Sequence, residues 1–233
     1  MKTYCQPMNA TDITYETVRN KVRTIPVLLR QHWYVHCKAI IDFTVASMLV
    51  LVLSPLFLVI ALLIKATSKG PIIYSQCRLG KNGAVFTMYK FRTMIDNCES
   101  LTGPRWSLPG DPRITFVGHY LRLSHLDELP QLFNVIKGEM SLIGPRPERP
   151  EIVQDLERDI PDYRSRLLVR PGISGLAQVQ LPADTDLESV REKLKYDIYY
   201  INNFSLFLDA RVAFYTLFRL FNLPYHFARF IQL

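Results

Sequence analysis

The sequence lacks the short motifs of several common enzyme classes. It contains no GxxxxGK(S/T) phosphate loop, no GxGxxG fingerprint and no GxSxG sequence, so nothing supports an ATPase, a nicotinamide enzyme or a serine hydrolase. Its four cysteines form no CxxC pair, and we expect isolated thiols rather than a metal site or a disulfide framework. Glycine and proline follow no repeat, and 48% of the 233 residues are apolar, which excludes collagen-like and disordered chains.

Negative charge is scarce in the first part of the chain. Residues 1–94 hold three Asp or Glu against 12 Lys or Arg, whereas residues 95–233 hold 18 against 16. The net charge of +7 therefore comes entirely from the first two-fifths of the sequence. A nucleic-acid-binding protein would carry its basic excess on the folded domain, so the slightly acidic remainder argues against a nucleic-acid partner.

The longest apolar run lies in the same basic region. Residues 39–64 contain one charge, that of Asp42, and residues 43–64 contain none. As a helix, residues 43–64 would be about 33 Å long, close to the hydrocarbon thickness of about 30 Å. We therefore predict membrane insertion rather than a buried core helix. The run begins too late and is too long for a cleaved signal peptide.

The flanks and the centre of this run favour a re-entrant helix. Both flanks are basic, and a simple span would leave one cluster on the far side of the membrane. Ser54 and Pro55 divide the run; the proline bends the helix, and the serine hydroxyl can satisfy the freed carbonyl. A simple span with an ordinary proline is the alternative. The flanking bases are Arg19, Lys21, Arg23, Arg30 and Lys38 before the run, and Lys65, Lys69, Arg78, Lys81, Lys90 and Arg92 after it.

The remaining sequence predicts a helix-dominated α+β fold. An aromatic segment at residues 196–230 suits either helices at the membrane interface or helices packed on the catalytic domain. The predicted elements are a small β-hairpin at 71–94, a helix at 117–136 that Pro130 interrupts or kinks, an exposed helix at 148–168, a turn and extended piece at 171–180, and a helix at 187–203.

The candidate for chemistry is the sequence LDELP at residues 126–130. It places Asp127 beside Glu128 in what reads as an apolar helix. Adjacent side chains on a helix point about 100° apart, so the two carboxylates cannot share one proton. They can divide two tasks, one as nucleophile and the other as metal ligand or proton carrier.

Basic residues in three other segments suit a phosphate ligand. Lys90 and Arg92 follow the predicted hairpin, Arg113 lies in a Gly/Pro-rich loop, and Arg146 lies in a second such loop. Rigid loops can present arginine to a diphosphate in a forked geometry. Together with carboxylates that could hold Mg²⁺, these residues indicate phosphoryl transfer.

Several sequence blocks, in one order, closely resemble the bacterial sugar transferases, which are monotopic polyprenyl-phosphate phosphoglycosyl transferases. The resemblance runs from about residue 38 to about residue 209 and includes Lys38 and Asp42 in the KxxxD block. The other blocks are SP at 54–55, KFRTM at 90–94, DPRIT at 111–115, LDELPQ at 126–131, NVIKGEMS at 134–141, GPRPE at 144–148 and PGISGL at 171–176.

This resemblance implies a reaction at the bacterial inner membrane, on its cytoplasmic face. A nucleotide sugar, usually linked to UDP, donates sugar-1-phosphate to polyprenyl phosphate and releases UMP. Asp127 matches the family's nucleophile, Glu128 its essential neighbour, and Mg²⁺ is the family's cofactor; the re-entrant helix is also a family feature. We expect Asp127 to form a covalent phosphosugar intermediate and both carboxylates to serve the metal, with the four basic residues holding the donor phosphates.

The sequence departs from the family pattern at three positions. Ala39 follows Lys38 where an arginine is usual, His125 precedes the carboxylates where a small polar residue is common, and Ala177 replaces a frequent tryptophan. A catalytically silent scaffold anchored in the membrane is the alternative function. The sequence leaves open whether the protein is a monomer or a homodimer. We divide it into an N-terminal extension (1–37), a re-entrant helix (38–69), a catalytic domain (70–195) and C-terminal helices (196–233).

Overall fold

The computed structural model describes residues 32–96, 98, 111–182, 186–220 and 231. Within them the fold is helix-dominated α+β, with one long apolar helix at the N-terminal side and two small sheets, as predicted. The helices are α1 (His32–Thr67), α2 (Phe116–Leu123), α3 (Gln131–Ile136), α4 (Pro150–Asp159), α5 (Leu176–Gln180), α6 (Leu187–Asn203) and α7 (Leu206–Leu220). The strands are β1 (Ile73–Leu79), β2 (Val85–Phe91), β3 (Ser141–Ile143) and β4 (Gly172–Ser174).

Helix α1 is long and apolar enough to cross a membrane. Its 36 residues include Pro55 in the interior, which cannot donate to the carbonyl of Leu51 four residues earlier. The Ser54 hydroxyl donates to that carbonyl at 2.8 Å, as the sequence predicted. The helix therefore continues through the proline without leaving its freed carbonyl unsatisfied.

One face of α1 packs along the folded domain over most of its length. Ala46 lies in a core cluster with Phe86 and Leu132, while Ile60 and Ile64 lie in another with Phe91. The opposite face carries exposed apolar side chains, namely Ile40, Phe43, Leu51, Val52, Leu58, Val59, Leu62 and Leu63. The helix thus contributes to the protein core and also presents a continuous surface suited to lipid.

The predicted hairpin is confirmed. β1 and β2 are antiparallel, with Ile73 opposite Phe91 and Leu79 opposite Val85. Asn82 has a φ of 59° in the turn, and this left-handed conformation is one that asparagine tolerates better than most residues. Cys77 on β1 is disulfide-bonded, contrary to the expectation of isolated thiols, whereas Cys37 and Cys98 are free.

The predicted helix at 117–136 is interrupted at Pro130, as expected, but the chain also breaks earlier, after Leu123, where no break was predicted. Helix α2 is followed by Ser124, whose hydroxyl bonds back to the carbonyl of Tyr120, and His125 then adopts a φ of 56°. A short 3₁₀ turn (Leu126–Glu128) follows, and α3 begins after Pro130. The two carboxylates therefore lie on this tight turn between helices, not inside a regular helix.

A second, parallel sheet was missed because its strands are only three residues long. Ser141 pairs with Gly172, and Ile143 pairs with Ser174. A Cβ atom on Gly172 would lie 2.1 Å from the amide nitrogen of Gly144, so only glycine permits this close approach. The sheet fixes the start of the GPRPE segment, residues 144–148, directly after β3.

Of three further predicted elements, two are wrong in part and one is confirmed. The predicted helix at 148–168 is wrong as one element, because α4 ends before Asp162, whose φ is 64°, and a 3₁₀ helix (Tyr163–Leu168) follows. The extended piece predicted up to Gln180 is the helix α5. The predicted helix at 187–203 is confirmed as α6, and an Asp186–Ser189 capping box begins it.

The aromatic C-terminal segment divides between the two interpretations. Tyr196, Tyr200 and Phe204 are buried in a core cluster, whereas Phe207 and Phe214 are 75% and 54% exposed. The aromatic residues at positions 221, 225, 227 and 230 of this segment lie outside the described residues. The described part of the segment is therefore both a packing element and an exposed apolar surface.

Candidate active site

The 3₁₀ turn that carries Asp127 and Glu128 is set up by its neighbours. His125 has a left-handed backbone, which costs about 1 kcal/mol or more in a non-glycine residue and is common at functional sites. Pro130 stands at the start of α3 with helical backbone angles. Their combined effect is to hold the two carboxylates on a rigid corner rather than along a helix face.

Glu128 is held by two cations. Its Oε1 atom lies 2.6 Å from Lys90 Nζ and 2.6 Å from Arg146 Nη2, and its Oε2 lies 3.4 Å from Arg146 Nη1. Burial alone would raise the pKa of Glu128, but the charges and hydrogen bonds of Arg146 and Lys90 outweigh it. They hold the pKa well below its usual value, so Glu128 is ionised at neutral pH.

Asp127 lies in a different environment. Its side chain is buried, with the residue 8% exposed, and it accepts no hydrogen bond from the described residues. Burial raises the pKa of Asp127, and the negative charge of Glu128 adds to the rise. The positive charges of Lys90, Arg122 and Arg146 oppose it. Among the described residues the Asp127 carboxylate is thus mostly buried, feels three cations only through their charge and accepts no hydrogen bond, and a carboxyl group with a perturbed pKa is a candidate for a functional role.

The two cations come from separate elements. Lys90 projects from β2, and Arg146 lies in the GPRPE segment. The main-chain carbonyl of Arg146 accepts a 2.9 Å hydrogen bond from Arg166, which forms a buried ion pair with Asp197 at 2.8 Å. This support holds the backbone on one side, so the Arg146 side chain can reach Glu128 on the other.

Arg122 is a site residue that the sequence analysis missed. It donates to the Thr93 hydroxyl at 2.8 Å, and its charge acts on Asp127. Helix α2 brings it there because Gly118 packs against the Thr93 carbonyl, where a Cβ atom would lie 2.0 Å away. A basic residue five positions before Asp127 was the available signal, but the apolar pattern of the segment concealed it.

The other two predicted phosphate ligands make their contacts elsewhere. Arg113 forms a forked ion pair with Asp111, with its Nη2 2.6 Å from Oδ2 and its Nε 2.9 Å from Oδ1. Arg92 donates to the carbonyl and hydroxyl of Ser68, directly after α1, at 3.0 and 2.7 Å. Of the four predicted residues, Lys90 and Arg146 converge on the carboxylates, whereas Arg92 secures the end of α1.

Lys38 and Asp42, predicted as membrane re-entry residues, attach the start of α1 to the folded domain. Lys38 Nζ lies 2.5 Å from Asp209 on α7 and 3.8 Å from Asp42. The Asp42 carboxylate accepts the backbone amide of Leu142 on β3 at 3.2 Å. The hydroxyl of Tyr200 also donates to Asp209, at 2.7 Å. This polar cluster connects α1 with the sheet that precedes Arg146.

The carboxylates can supply oxygen ligands to a magnesium ion. Both short hydrogen bonds of Glu128 use Oε1, so Oε2 keeps coordination capacity, and the Asp127 carboxylate is unbonded among the described residues. Mg²⁺ commonly binds through one or two protein carboxylates and completes its shell with substrate phosphates and water. The donor set therefore fits the ion that the family resemblance implies.

Comparison with known proteins identifies the family. A model of the family described as bacterial sugar transferase matches residues 33–223, which include the whole 3₁₀ turn and all its cations. The chain belongs to the bacterial sugar transferase family.

Relatives of this bacterial sugar transferase carry informative names. It is 46% identical over 190 residues to a UDP-N-acetylgalactosamine-undecaprenyl-phosphate N-acetylgalactosaminephosphotransferase of Aeromonas hydrophila, covering 82% of this chain and 45% of that protein. It is 40% identical over 186 residues to a UDP-glucose:undecaprenyl-phosphate glucose-1-phosphate transferase of Klebsiella pneumoniae, covering 78% and 39%. An exopolysaccharide production protein of Rhizobium leguminosarum is 42% identical over 171 residues, covering 71% and 86%. The chain thus spans less than half the length of the first two relatives.

Two of the departures from the family pattern have visible surroundings. His125 forms the left-handed corner before Asp127, so it affects the turn through its backbone. Ala177 is 2% exposed in the core cluster that contains Tyr200 and Phe204. The effect of a residue at 177 on substrate packing stays a prediction.

Proposed function

We propose that this protein transfers sugar-1-phosphate from a UDP-sugar to undecaprenyl phosphate or a similar polyprenyl phosphate, releasing UMP. The observation that carries the proposal is the pairing of a buried Asp127, which accepts no hydrogen bond from the described residues, with a Glu128 held by Lys90 and Arg146. Related proteins named for this reaction, with UDP-glucose or UDP-N-acetylgalactosamine as donor, support the substrate class. The sugar itself is left to experiment.

The first step is attack by an Asp127 carboxylate oxygen on the β-phosphorus of the donor. The new oxygen–phosphorus bond forms an acyl phosphate that carries the sugar, and the bond to the bridging oxygen breaks, so UMP leaves with the electron pair. A carboxylate is already deprotonated at neutral pH and needs no base. The lack of hydrogen bonds to Asp127 among the described residues supports this role, because no donor must be displaced first.

In the second step an oxygen of the lipid phosphate attacks the same phosphorus and the Asp127 carboxylate is released. Two steps suit these substrates, since the soluble donor and the lipid acceptor need not occupy the site together. Water must be kept from the acyl phosphate between the steps, and the burial of Asp127 favours this.

In this proposal Lys90 and Arg146 leave Glu128 and bind phosphate oxygens of the donor, so that their positive charges neutralise the phosphates. Their charges are balanced by Glu128 in the free protein, and an incoming diphosphate offers the same forked acceptor geometry to Arg146. Asp127 and Glu128 would hold Mg²⁺, which would supply positive charge against the diphosphate. Arg122 would stabilise the negative charge beside Asp127.

The proposal places the active site at the cytoplasmic face of the bacterial inner membrane, with α1 re-entrant. Lys38 near the start of α1 binds Asp209, and Ser68 after its end binds Arg92. Both ends are therefore held by one folded domain, which cannot lie on two sides of a core about 30 Å thick. Basic flanks on both sides support the cytoplasmic orientation.

Cysteine labelling tests this topology. Cysteines placed near residues 30 and 70, after replacement of the native ones, should both resist labelling from the periplasm. Labelling of one site would favour a simple span.

The experiment that tests the reaction uses purified protein, polyprenyl phosphate and a panel of UDP-sugars, with UMP release as the signal. A donor that sustains UMP release over many turnovers only with the lipid and Mg²⁺, and gives no more than one UMP per protein molecule without the lipid, supports the proposal. Mass spectrometry with donor alone should then find a sugar-phosphate on Asp127. Turnover without an adduct, with kinetics requiring both substrates at once, would indicate direct transfer. No UMP from any donor would favour the membrane-anchored scaffold.

A further inference from the structure

The free edge of β2 is closed by a side chain. Among the described residues β2 pairs only with β1, so the peptide groups along its other edge need partners. Asn134 supplies partners for two of them, because its Nδ2 donates to the Thr87 carbonyl at 2.7 Å and its Oδ1 accepts a hydrogen bond from the Tyr89 amide at 3.1 Å. The asparagine amide thus bonds the edge as a peptide group of a third strand would.

The orientation of this amide is fixed. Asn134 is 0% exposed, and its Nδ2 also donates to Glu139 Oε2 at 2.7 Å. A flipped amide would face the Tyr89 N–H with its own N–H groups and would turn its oxygen towards two acceptors. Only one orientation satisfies all three neighbours, so the side chain acts as a rigid clamp between α3 and β2.

The clamp lies next to both partners of the central ion pair. Lys90 follows Tyr89 on β2, and α3 begins three residues after Glu128. Besides the apolar packing of α3 against β2, the turn is connected to β2 in two ways. One path runs through α3 and the Asn134 hydrogen bonds to the β2 backbone, and the other is the 2.6 Å contact between Lys90 Nζ and Glu128 Oε1.

We infer that Asn134 is a positioning residue, which sets the distance between the Lys90 ammonium group and the Asp127–Glu128 turn during donor binding. The inference rests on the proposed function for the role of Lys90. When Lys90 leaves Glu128 for a phosphate, the ion pair no longer ties β2 to the turn. The Asn134 clamp then still holds β2 in place beside the turn. A displacement of the Lys90 ammonium group by about 1 Å would lower turnover considerably.

The test is a double-mutant cycle between Asn134→Asp and Lys90→Ala, measured as kcat/KM for UMP release. Aspartate has the same shape but cannot donate to Thr87 when ionised, and it places a second carboxylate against Glu139. We expect Asn134→Asp to lower kcat/KM by about tenfold in the wild-type background and by less than about twofold when Lys90 is already absent. Losses that simply multiply would overturn the inference.

Lys137→Ala is the matched control. Lys137 directly follows α3, and its ammonium group donates to the Tyr89 hydroxyl at 2.9 Å on the exposed surface. It joins the same two elements without bonding the β2 backbone. We expect unchanged turnover and no coupling with Lys90→Ala; a loss equal to that of Asn134→Asp would reduce the clamp to ordinary packing and overturn the inference.

Two further measurements keep the result decisive. Should Asn134→Asp not fold, Glu139→Ala removes the acceptor that orients the amide, and a fall of about two- to fivefold that depends on Lys90 is expected. Should the wild-type protein release no UMP, the proposed function fails by itself. Hydrogen–deuterium exchange of residues 85–91 then tests the clamp: faster exchange in Asn134→Asp than in Lys137→Ala supports it, and equal exchange overturns it.

Discussion

The two sides of the 3₁₀ turn at Leu126–Glu128 differ more than their chemistry suggests. On the Glu128 side, one carboxylate is paired with Lys90 and Arg146, and its pKa is held below the usual value. On the Asp127 side, an adjacent carboxylate is buried without a hydrogen bond from the described residues, and its pKa is raised. Two residues adjacent in the sequence therefore differ: the charge of Glu128 is balanced by two cations, whereas Asp127 is buried and accepts no hydrogen bond from the described residues.

The difference teaches how one turn can support two tasks. A group that must attack phosphorus benefits from desolvation, whereas a group that organises cations must stay ionised and bonded. The tight turn separates the side chains enough for Lys90 and Arg146 to bond Glu128, while Lys90, Arg122 and Arg146 act on Asp127 through their charges.

The largest effect is expected from removing the nucleophile. Asp127→Asn keeps the shape of the side chain but offers a poor nucleophile, so turnover should fall by about 10³-fold or more. UMP release is the measurement, and the adduct with donor should vanish. Asp155→Asn is the control, since Asp155 forms an exposed ion pair with Arg158. Substantial turnover in Asp127→Asn would move the nucleophile to another residue.

Glu128→Gln should have the next largest effect and should also destabilise the fold. The change leaves Lys90 and Arg146 without their anion, and breaking one partner of a buried pair costs up to about 3–5 kcal/mol, less where solvent reaches it. Turnover should fall about 100-fold, with a lower thermal midpoint. Glu151→Gln is the matched control, because the exposed Glu151 carboxylate lies 3.6 Å from Arg149 Nε. An unchanged midpoint would show that the cations are not held by Glu128.

Arg146→Lys should cost about tenfold in kcat/KM for the donor. Lysine keeps the charge but loses the forked donors that suit a diphosphate or a carboxylate. The exposed Arg158→Lys serves as control. The proposed role predicts that the loss appears mainly in the KM for UDP-sugar and not in that for the lipid; the reverse result would assign Arg146 to the acceptor.

The smallest expected effect is on thermal stability, and its sign is opposite for Asp127 and Glu128. Burial raises the pKa of Asp127, so the folded state is penalised as pH rises through that raised pKa. Asp127→Asn should therefore raise the thermal midpoint at pH 7, and the gain should shrink as the pH falls. Glu128 behaves oppositely, because its lowered pKa gives stability above its unfolded value that is lost on acidification. Equal shifts for both variants would contradict the comparison.

Much of the architecture followed from local patterns. The hairpin, α6 and the apolar helix were predictable because strand propensity, capping residues and a long uncharged run act over short distances. The break at Pro130 was predicted, whereas the break at His125 was not, because a left-handed backbone is uncommon in any non-glycine residue, histidine included. The three-residue strands β3 and β4 were also beyond prediction, since their pairing joins segments 31 residues apart.

The sequence by itself determined the family, the candidate carboxylates and a helix suited to the membrane, because these depend on residue order and composition. Only the tertiary structure decided which basic residues meet the carboxylates. Lys90 and Arg146 come from a strand and a loop 56 residues apart, while Arg113 pairs with Asp111 next to it. Coulomb energy depends on distance in space and on burial, and neither can be read from spacing along the chain.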